Sequence, residues 1–355
     1  MIQQDSFFKG RGAQINSDNK FLKHSYVAEH IEGIDETALE ESPKTEFFFE
    51  TAKNIVNKIE SPDLAGMYSM NPYQGCEHGC LYCYARNSHQ YWGFSGGLDF
   101  EQKIIVKQNA PALLRKLFDS PKWKPHSIML AGNTDCYQPA ERKFVITRKL
   151  LEVFLEYGNP VGVITKNSLI LRDLDLLTEL AAKDLIHVNV TITSLNEDLR
   201  QKLEPRTVSY KNRLKVVEEL SKRNILVNVM VAPIIPSFND HEIPAVIEQA
   251  ADHGAVSAAY TVVRLNGMIK EVFEDWIHKS FPDRAEKVLK QIAACHGGKV
   301  NDSRFGKRMS GEGKIAELIK DLFLMARQKY MSGREMKPYA LHHFRRPGNG
   351  QMSIF

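Results

Sequence analysis

Three cysteines within eight positions constrain this chain more than any other feature of its sequence. Cys76, Cys80 and Cys83 are separated by three and then by two residues. Thiolates are soft ligands, so a compact group of them selects an iron–sulfur cluster or zinc over a hard cation. Gly75 and Gly79 allow a short loop to fold tightly around a bulky cluster. Three ligands leave one metal position open, and the spacing favours an iron–sulfur site.

The alternative for the same cysteines is a structural zinc site. Its fourth ligand would be His78, Cys136 or Cys295. Structural zinc sites usually combine two paired groups of ligands, and no second Cys-x-x-Cys or His-x-x-x-His pair follows in the sequence. The spacing therefore favours the cluster and leaves zinc as the alternative.

The cysteine stretch resembles the signature of the radical S-adenosylmethionine (SAM) superfamily. That signature is Cys-x-x-x-Cys-x-x-Cys with an aromatic residue before the last cysteine, here Tyr82. The resemblance implies that Cys76, Cys80 and Cys83 bind a [4Fe–4S] cluster whose open iron chelates SAM. In that superfamily an electron from the cluster cleaves SAM to a 5′-deoxyadenosyl radical. An external reductant such as flavodoxin or ferredoxin is then also expected.

Composition indicates an ordinary globular protein with one main domain, since 43% of the 355 residues are hydrophobic and 25% are charged. The chain has no run of about 18 apolar residues and no signal-peptide pattern at its start, so we expect no membrane segment and a cytoplasmic location. Three of the five cysteines are crowded together, which excludes a disulfide framework and suits a reducing compartment.

Short apolar runs alternate with amphipathic segments from Met67 onward, which is typical of βα units with a parallel sheet. We expect an α/β fold, a partial (β/α)6 TIM-like barrel with N- and C-terminal extensions, which the resemblance also implies. Chemistry in such barrels occurs at the C-terminal ends of the strands. The predicted strands cover residues 67–71, 127–130, 161–164, 186–192, 226–231 and 255–262. The predicted helices cover residues 110–118, 142–157, 173–183, 210–223, 242–253 and 270–278.

The sequence suggests four segments around this core. They are an N-terminal extension (1–65), the radical SAM core (66–298), a basic helical segment (299–346) and a flexible tail (347–355). Near-helical spacing of apolar residues predicts one helix over 45–59. Segment 299–346 carries twelve Lys and Arg against five acids, a net +7. This charge suits either the phosphate backbone of a nucleic acid or solvated helix faces.

Further motifs occur in the order seen in the spore photoproduct lyase branch of the superfamily, over roughly residues 66–240. That branch contains DNA-repair enzymes that reverse a thymine dimer, so the resemblance implies a nucleic-acid substrate, most naturally DNA. The matching stretches are 131–135, 163–166, Thr191, 204–207 with Arg213, and 231–234.

The same resemblance implies which side chains contact SAM. A lysine ammonium near the SAM carboxylate and hydroxyls on its polar groups are reasonable chemistry. The expected cofactor-binding residues are Tyr82, beside the adenine, and Thr134, Lys166, Thr191, Glu204 and Arg206.

One departure from the lyase pattern concerns the hydrogen donor. The lyases carry a hydrogen-donating cysteine directly after the alanine that matches Ala131, but this chain has Gly132 there. Cys136, four residues further on, is the substitute candidate, with Tyr84 as a relay. The alternative is that Cys136 is a small buried apolar residue, as free cysteine often is.

An aromatic, glycine-rich insert follows the cysteines over residues 87–97. It includes Tyr91, Trp92 and Phe94. These rings could cover the mouth of the barrel and stack a base, or they could pack on the barrel.

The last five residues resemble the peptide that docks on the bacterial DNA sliding clamp. Such a peptide combines a polar glutamine with apolar anchors that enter a two-pocket groove. The alternative is an apolar tail that packs on its own domain. The residues concerned are Gln351, Met352, Ser353, Ile354 and Phe355.

Together these patterns predict a radical SAM enzyme that acts on damaged DNA or another nucleic acid. Two rival hypotheses remain open. One is radical modification of a protein or peptide substrate, since the superfamily does not specify the substrate. The other is a non-catalytic, metal-stapled DNA-binding module.

Overall fold

The computed structural model of the chain describes residues 8, 10–21, 44–64 and 67–347. The predicted clamp-binding peptide, Gln351 to Phe355, lies outside the described residues, as does most of the predicted flexible tail.

The described residues form ten strands and eleven α-helices. The strands are β1 (Glu46–Phe49), β2 (Val56–Lys58), β3 (Tyr68–Met70), β4 (Tyr73–Gln74), β5 (Lys103–Val106), β6 (Ile128–Leu130), β7 (Val161–Thr165), β8 (Ile186–Thr191), β9 (Leu226–Ile234) and β10 (Ser257–Val262). The helices are α1 (Leu98–Gln102), α2 (Ala110–Asp119), α3 (Glu141–Phe144), α4 (Ile146–Tyr157), α5 (Leu174–Ala181), α6 (Glu197–Leu203), α7 (Tyr210–Ser221), α8 (Ile243–Asp252), α9 (Ile269–Ser280), α10 (Pro282–Ala294) and α11 (Lys314–Met331).

The main sheet has the strand order β10-β9-β8-β7-β6-β3-β2 in the described part of the chain. All neighbours from β3 to β10 are parallel, and β2 is antiparallel to β3. Each of the six parallel strands matches a strand predicted from the sequence. The predicted partial (β/α)6 barrel is therefore confirmed.

The central strands are buried on both faces, which explains their runs of β-branched residues. Val163, Val188, Val190 and Val229 are almost completely buried in the main core. Helices between parallel strands cover one face, and the barrel interior covers the other. Because the six strands are parallel, their C-terminal ends lie together at one end of the barrel, which we call the mouth. The polar residues that follow each strand therefore lie at this mouth.

The helix predicted over residues 45–59 is wrong. The segment instead forms the two strands β1 and β2. Three consecutive phenylalanines, Phe47 to Phe49, favour a strand over a helix, and β5 offers an edge with which β1 pairs in parallel. The near-helical spacing of apolar residues was coincidental, because the residues that match it lie on two separate strands.

A second, three-stranded sheet has the order β1-β5-β4. Tyr73 and Gln74 of β4 pair with Val106 and Ile105 of β5. The cysteine loop leaves β4 directly, so this small sheet is the platform from which the loop starts. Sequence analysis missed both β4 and β5.

The segment after α10 lies along the outer side of β10. The Val262 amide donates to the Met309 carbonyl, and the Leu265 amide donates to the Val300 carbonyl, both at 2.8 Å. The chain then enters α11, whose inward side belongs to the main core. The buried residues of α11 are Ala316, Ile319, Phe323, Ala326 and Met331.

Several cations of the basic C-terminal segment are used inside the protein. Arg334 donates to the carbonyls of Ala251 and Ala255 at 2.7 and 2.8 Å, and Arg346 donates to the carbonyl of Phe118 at 3.0 Å. These carbonyls lie at the ends of α8 and α2, where helices lack intrahelical donors. This placement favours a structural role for these arginines over a free phosphate-binding surface.

In the part of the chain that the structure describes, no helix is long and apolar enough to span a membrane.

Helix α11 offers a test of how firmly the C-terminal segment belongs to the barrel. Phe323 is 3% exposed, and its neighbour Leu324 is 47% exposed. We expect Phe323→Ala to lower the free energy of unfolding by about 3–5 kcal/mol, because a large buried ring is lost and a cavity is left. Leu324→Ala, the matched control, is expected to change it by less than about 0.5 kcal/mol. Denaturant unfolding of both variants measures this difference, and equal effects would contradict the packing of α11.

Candidate active site

The cysteine loop begins at the end of β4 and is shaped by backbone contacts. The Cys76 amide donates to the Phe100 carbonyl at 2.8 Å. The Gln138 amide nitrogen donates to the Gly75 carbonyl at 3.0 Å, and the Glu77 amide donates to the Gln138 side-chain oxygen at 3.1 Å. The fully buried side chain of Gln138 thus binds the loop on both sides of Cys76, as a donor to Gly75 and as an acceptor from Glu77. Gly75, at φ +80°, makes the turn that an L side chain would strain.

The three thiols of the loop lie close to one another. Cys76 and Cys80 are buried, and Cys83 is half-buried. Burial raises the pKa of Cys76, and the nearby Asp135 carboxylate and the Cys80 and Cys83 thiols raise it further. The three thiols are thus near enough to one another to interact electrostatically.

The number of thiols in the loop fits an iron–sulfur cluster. A cluster with one open iron requires three protein thiolates, which Cys76, Cys80 and Cys83 can supply. A structural zinc site would need a fourth protein ligand besides these three.

None of the alternative fourth ligands is available in the described structure. His78 is almost fully buried, with Nδ1 3.4 Å from an Asp135 oxygen and Nε2 3.2 Å from the Asn167 amide nitrogen. Burial lowers the pKa of His78, so the ring is neutral. Cys136 and Cys295 are buried in the main hydrophobic core. Both ring nitrogens of His78 have partners, which connects the cysteine loop to the ends of β6 and β7.

A buried ion pair binds the backbone of the cysteine loop. Arg86 and Glu101 are both fully buried, and Arg86 Nη2 lies 2.6 Å from Glu101 Oε1. Arg86 also donates to the Cys80 carbonyl at 2.9 Å and to the carbonyls of Gly96 and Gly97 at 3.0 and 2.9 Å. One guanidinium therefore fixes the loop and the end of the aromatic insert together, which sequence analysis did not foresee.

The same carboxylate binds the N-terminal segment. The amides of Gly12 and Ala13 donate to the two oxygens of Glu101 at 2.9 and 2.8 Å. A Cβ atom on Gly12 would lie 1.8 Å from the Gly79 carbonyl oxygen, so glycine is required there. The segment 10–14 thus lies directly against the cysteine loop, and part of the predicted N-terminal extension supports the site.

Both carboxylate oxygens of Glu204 accept hydrogen bonds from neighbouring side chains. Glu204 is fully buried and bonded to Arg213, Tyr82 Oη and Thr193 Oγ1, the last at 2.6 Å. Burial alone would raise the pKa of Glu204, but Arg213 and Lys166 lower it to about 2. The carboxylate is therefore ionised, and it orients the Tyr82 ring by holding its hydroxyl.

The structure brings the other expected SAM-binding residues to the same mouth. Lys166 Nζ lies 5.9 Å from the centre of the Tyr82 ring. Thr134 Oγ1 donates to the Tyr73 carbonyl at 2.5 Å, and the Thr191 carbonyl accepts a bond from Arg213. Lys166 is half-buried. Its role toward SAM stays a prediction.

Arg206 lies on the cysteine-loop side of this mouth. Its amide donates to the His78 carbonyl at 3.3 Å, and its guanidinium lies 3.6 Å from Glu77. Arg206 is thus placed beside the loop rather than next to Lys166. A contact with SAM stays a prediction for this residue.

Gly132 stands where the lyases have their donor cysteine, and the space that a side chain would need there is occupied by Ser69. A Cβ atom on Gly132 would lie 2.4 Å from Ser69 Oγ. The Gly132 carbonyl accepts a hydrogen bond from Tyr84 Oη, and Tyr84 is half-exposed. Cys136 has no exposed surface and packs in the main core. This placement favours the structural alternative for Cys136 and leaves Tyr84 as the accessible candidate.

This chain is similar in sequence to one family model and to several known proteins. A family model described as the radical SAM superfamily matches residues 70–250, just over half of the chain. An uncharacterised protein of Mycobacterium tuberculosis is 30% identical over 236 residues, which cover 65% of this chain and 69% of that protein. An uncharacterised protein of Methanocaldococcus jannaschii is 26% identical over 242 residues, which cover 68% of this chain and 86% of that protein.

Solved structures extend the comparison to the fold. Spore photoproduct lyase complexed with dinucleoside spore photoproduct matches with a TM-score of 0.59 and 16% sequence identity. The match covers 81% of this chain and 80% of the lyase chain. At this identity the likeness shows a common fold.

The buried carboxylate below the loop gives a prediction. We expect Glu101→Gln to destabilise the metal-free protein by about 3–5 kcal/mol, because it leaves the Arg86 charge buried without its partner. The matched control is Glu156→Gln, since Glu156 pairs with Arg115 at 2.7 Å on the surface, and such pairs contribute at most about 1 kcal/mol. Denaturant unfolding measures the stability, and iron bound after reconstitution reports on the loop. A Glu101→Gln protein as stable as the Glu156→Gln control would show that the pair does not hold the loop.

Proposed function

The chain belongs to the radical SAM superfamily, and from this premise we propose that it is an enzyme whose substrate is a damaged base in DNA. Enzymes of this superfamily use a [4Fe–4S] cluster and SAM. When bound, the two supply a 5′-deoxyadenosyl radical that removes a hydrogen atom from the substrate. The protein positions both groups and shields them from water.

We assign the cluster to Cys76, Cys80 and Cys83. Support comes from their proximity in one loop and from the contacts that Gln138 and Arg86 make with its backbone. Both supporting side chains are fully buried, so the loop has a fixed shape before any ligand binds. A preorganised set of ligands loses little freedom on binding.

We assign SAM to the mouth beside this loop, against Tyr82 and Lys166. The Tyr82 hydroxyl is held by the ionised Glu204, so the ring cannot turn away from the mouth. The Lys166 amide donates to Asp135 at 2.8 Å, which fixes the backbone from which its ammonium projects. A positioned ammonium suits a carboxylate such as that of SAM. Glu204 then acts on SAM through the Tyr82 ring that it holds, and Arg206, beside the cysteine loop, stays a proposed SAM contact.

The order of the strand-end motifs supports the choice of DNA, because it follows that of the spore photoproduct lyase branch. The barrel also has the fold of a lyase whose structure contains a dinucleoside lesion. Active sites of such barrels lie at the C-terminal ends of the strands, where the cysteine loop, Thr134 and Lys166 lie here. A base that reaches this mouth must leave the stack, which costs least for a damaged base.

The hydrogen donor is where this chain differs from the lyases. Ser69 Oγ occupies the space that a side chain at position 132 would need. Tyr84, half-exposed and bonded to the Gly132 carbonyl, is the side chain that we propose to contact the substrate at this point. Cys136 is a second candidate only if the core opens around it. We therefore propose a related reaction and not an identical one.

Cleavage of SAM tests the assignment of the cluster. The protein is reconstituted with iron and sulfide without oxygen, reduced and given SAM, and 5′-deoxyadenosine is measured by chromatography. We expect Cys76→Ala, Cys80→Ala and Cys83→Ala each to abolish its formation, because each removes a cluster ligand. Cys136→Ala and Cys295→Ala are the matched controls and are expected to keep the iron content of the parent protein. Loss of iron in these controls would contradict the assignment.

The substrate is tested in the same reaction. Ultraviolet-damaged DNA is expected to stimulate 5′-deoxyadenosine formation and to be converted, whereas undamaged DNA of the same sequence is not. Tyr84→Phe is expected to reduce conversion of the DNA by at least about tenfold while leaving iron content unchanged, since it removes only the hydroxyl. Stimulation by a protein or peptide fraction, with no response to damaged DNA, would support the rival substrate class and overturn the DNA proposal.

We also propose that the C-terminal peptide binds the bacterial sliding clamp. The support is its sequence alone: a glutamine followed by the apolar anchors Met352, Ile354 and Phe355. Replacing Gln351 and Phe355 by alanine is expected to weaken binding to purified clamp by at least about tenfold, as loss of an anchor typically does. SAM cleavage by the same variant is the control and is expected to be unchanged. Equal clamp binding by parent and variant would remove this partner.

A further inference from the structure

Four exposed aromatic side chains lie around the insert that follows the cysteine loop. We call them the aromatic surface: Phe21, Phe48, Tyr91 and Trp92. Tyr91 is 74% exposed and Phe21 is 50% exposed. Exposed apolar groups mark a binding site when they form one contiguous patch. Of the two alternatives for the insert, packing on the barrel accounts for Phe94 but not for Tyr91 and Trp92.

Two ring contacts and one side-chain amide connect this surface. Phe21 stacks on Tyr91 with ring centres 4.8 Å apart, and Phe48 contacts Phe94 at 5.2 Å. The Asn19 amide nitrogen donates to the carbonyls of Gln90 and Phe94 at 3.0 and 3.2 Å. The segment that carries Phe21 is thereby fixed on both sides of Tyr91 and Trp92.

Lysines lie over the rings. Lys20 Nζ is 4.9 Å from the centre of the Phe21 ring, and Lys103 Nζ is 5.0 Å from the centre of the Phe94 ring. Lys103 is also paired with Asp99 at 3.1 Å. Ring faces interleaved with ammonium groups are what single-stranded nucleic acid requires, since bases stack on the rings and phosphates meet the cations.

We propose that the aromatic surface binds the single-stranded DNA next to the base that enters the barrel mouth. The inference rests on the DNA substrate proposed above and adds a second contact region to it. Tyr84, at the mouth, begins a 3-10 helix that ends at Trp92. At about 2 Å per residue, the seven steps to Tyr91 span roughly 14 Å. That is about four stacked nucleotides at roughly 3.4 Å each.

Binding of a labelled oligonucleotide tests the proposal. The probe is a fluorescent single-stranded DNA of about sixteen nucleotides, added to the full-length protein and followed by anisotropy. Tyr91→Ala is expected to weaken binding by about tenfold, the effect of losing a base-stacking ring. Tyr91→Phe keeps the ring and is expected to bind within about twofold of the parent protein.

The matched control is another exposed apolar residue away from this surface. Leu318 on α11 is 68% exposed, and Leu318→Ala is expected to leave the affinity for the probe unchanged. Equal affinities for the parent protein, Tyr91→Ala and Leu318→Ala would overturn the proposal. A protein that does not bind the probe at low salt would overturn it as well.

Tryptophan fluorescence gives an independent reading of the same contact. The chain has three tryptophans, of which Trp123 and Trp276 are buried and Trp92 is exposed. Saturating single-stranded DNA is expected to quench the intrinsic fluorescence through stacking on Trp92, and Trp92→Phe is expected to lose the quenching. Quenching that persists in Trp92→Phe would contradict the proposal.

Substrate length separates failure of this inference from failure of the proposed function. A dinucleoside lesion is too short to reach from the mouth to Tyr91, so Tyr91→Ala is expected to raise KM for a long lesion-bearing strand about tenfold more than KM for the dinucleoside. Equal effects on both substrates, with DNA still converted, would overturn the aromatic surface and leave the function standing. Binding that depends on the aromatic surface, without conversion of any DNA, would overturn the function alone.

Discussion

The site depends on one buried ion pair, between Arg86 and Glu101. A charge taken out of water is costly, and these two offset the cost only because every donor and acceptor finds a partner. Glu101 accepts bonds from Arg86 and from the amides of Gly12 and Ala13, and Arg86 donates to three carbonyls of the cysteine loop and the insert. Three segments that carry no shared secondary structure are thereby joined at the backbone of the cysteine loop.

The barrel and the cysteine loop could be predicted because their signals are local. The strands of the barrel are short segments rich in apolar residues, such as β6 and β7, and a parallel sheet buries such strands beneath its crossover helices. The spacing of Cys76, Cys80 and Cys83 lies within one loop, so it could be recognised without knowing the fold. The family resemblance selected Thr134 and Lys166, and the geometry of parallel sheets places both at the strand ends.

The contacts that shape the site could not be predicted in this way. Glu101 and Gly12 are 89 residues apart in sequence, and nothing in either neighbourhood indicates the other. The space behind Gly132 is filled by Ser69, which lies on a different strand. The strand β1 was mistaken for part of a helix because its pairing partner β5 is far away in sequence. In each case the deciding interaction is between distant segments.

The docking of residues 10–14 has a consequence for the order in which the protein is made. Gly12 leaves the ribosome before the 89 residues that end in Glu101, and at roughly 5–20 residues per second its binding partner follows about 4–18 s later. The cysteine loop emerges between the two. During this interval residues 10–14 have no carboxylate to bind and cannot yet be held against the cysteine loop. The site therefore reaches its final form only after the cysteines have been made, when residues 10–14, which were made first, bind Glu101.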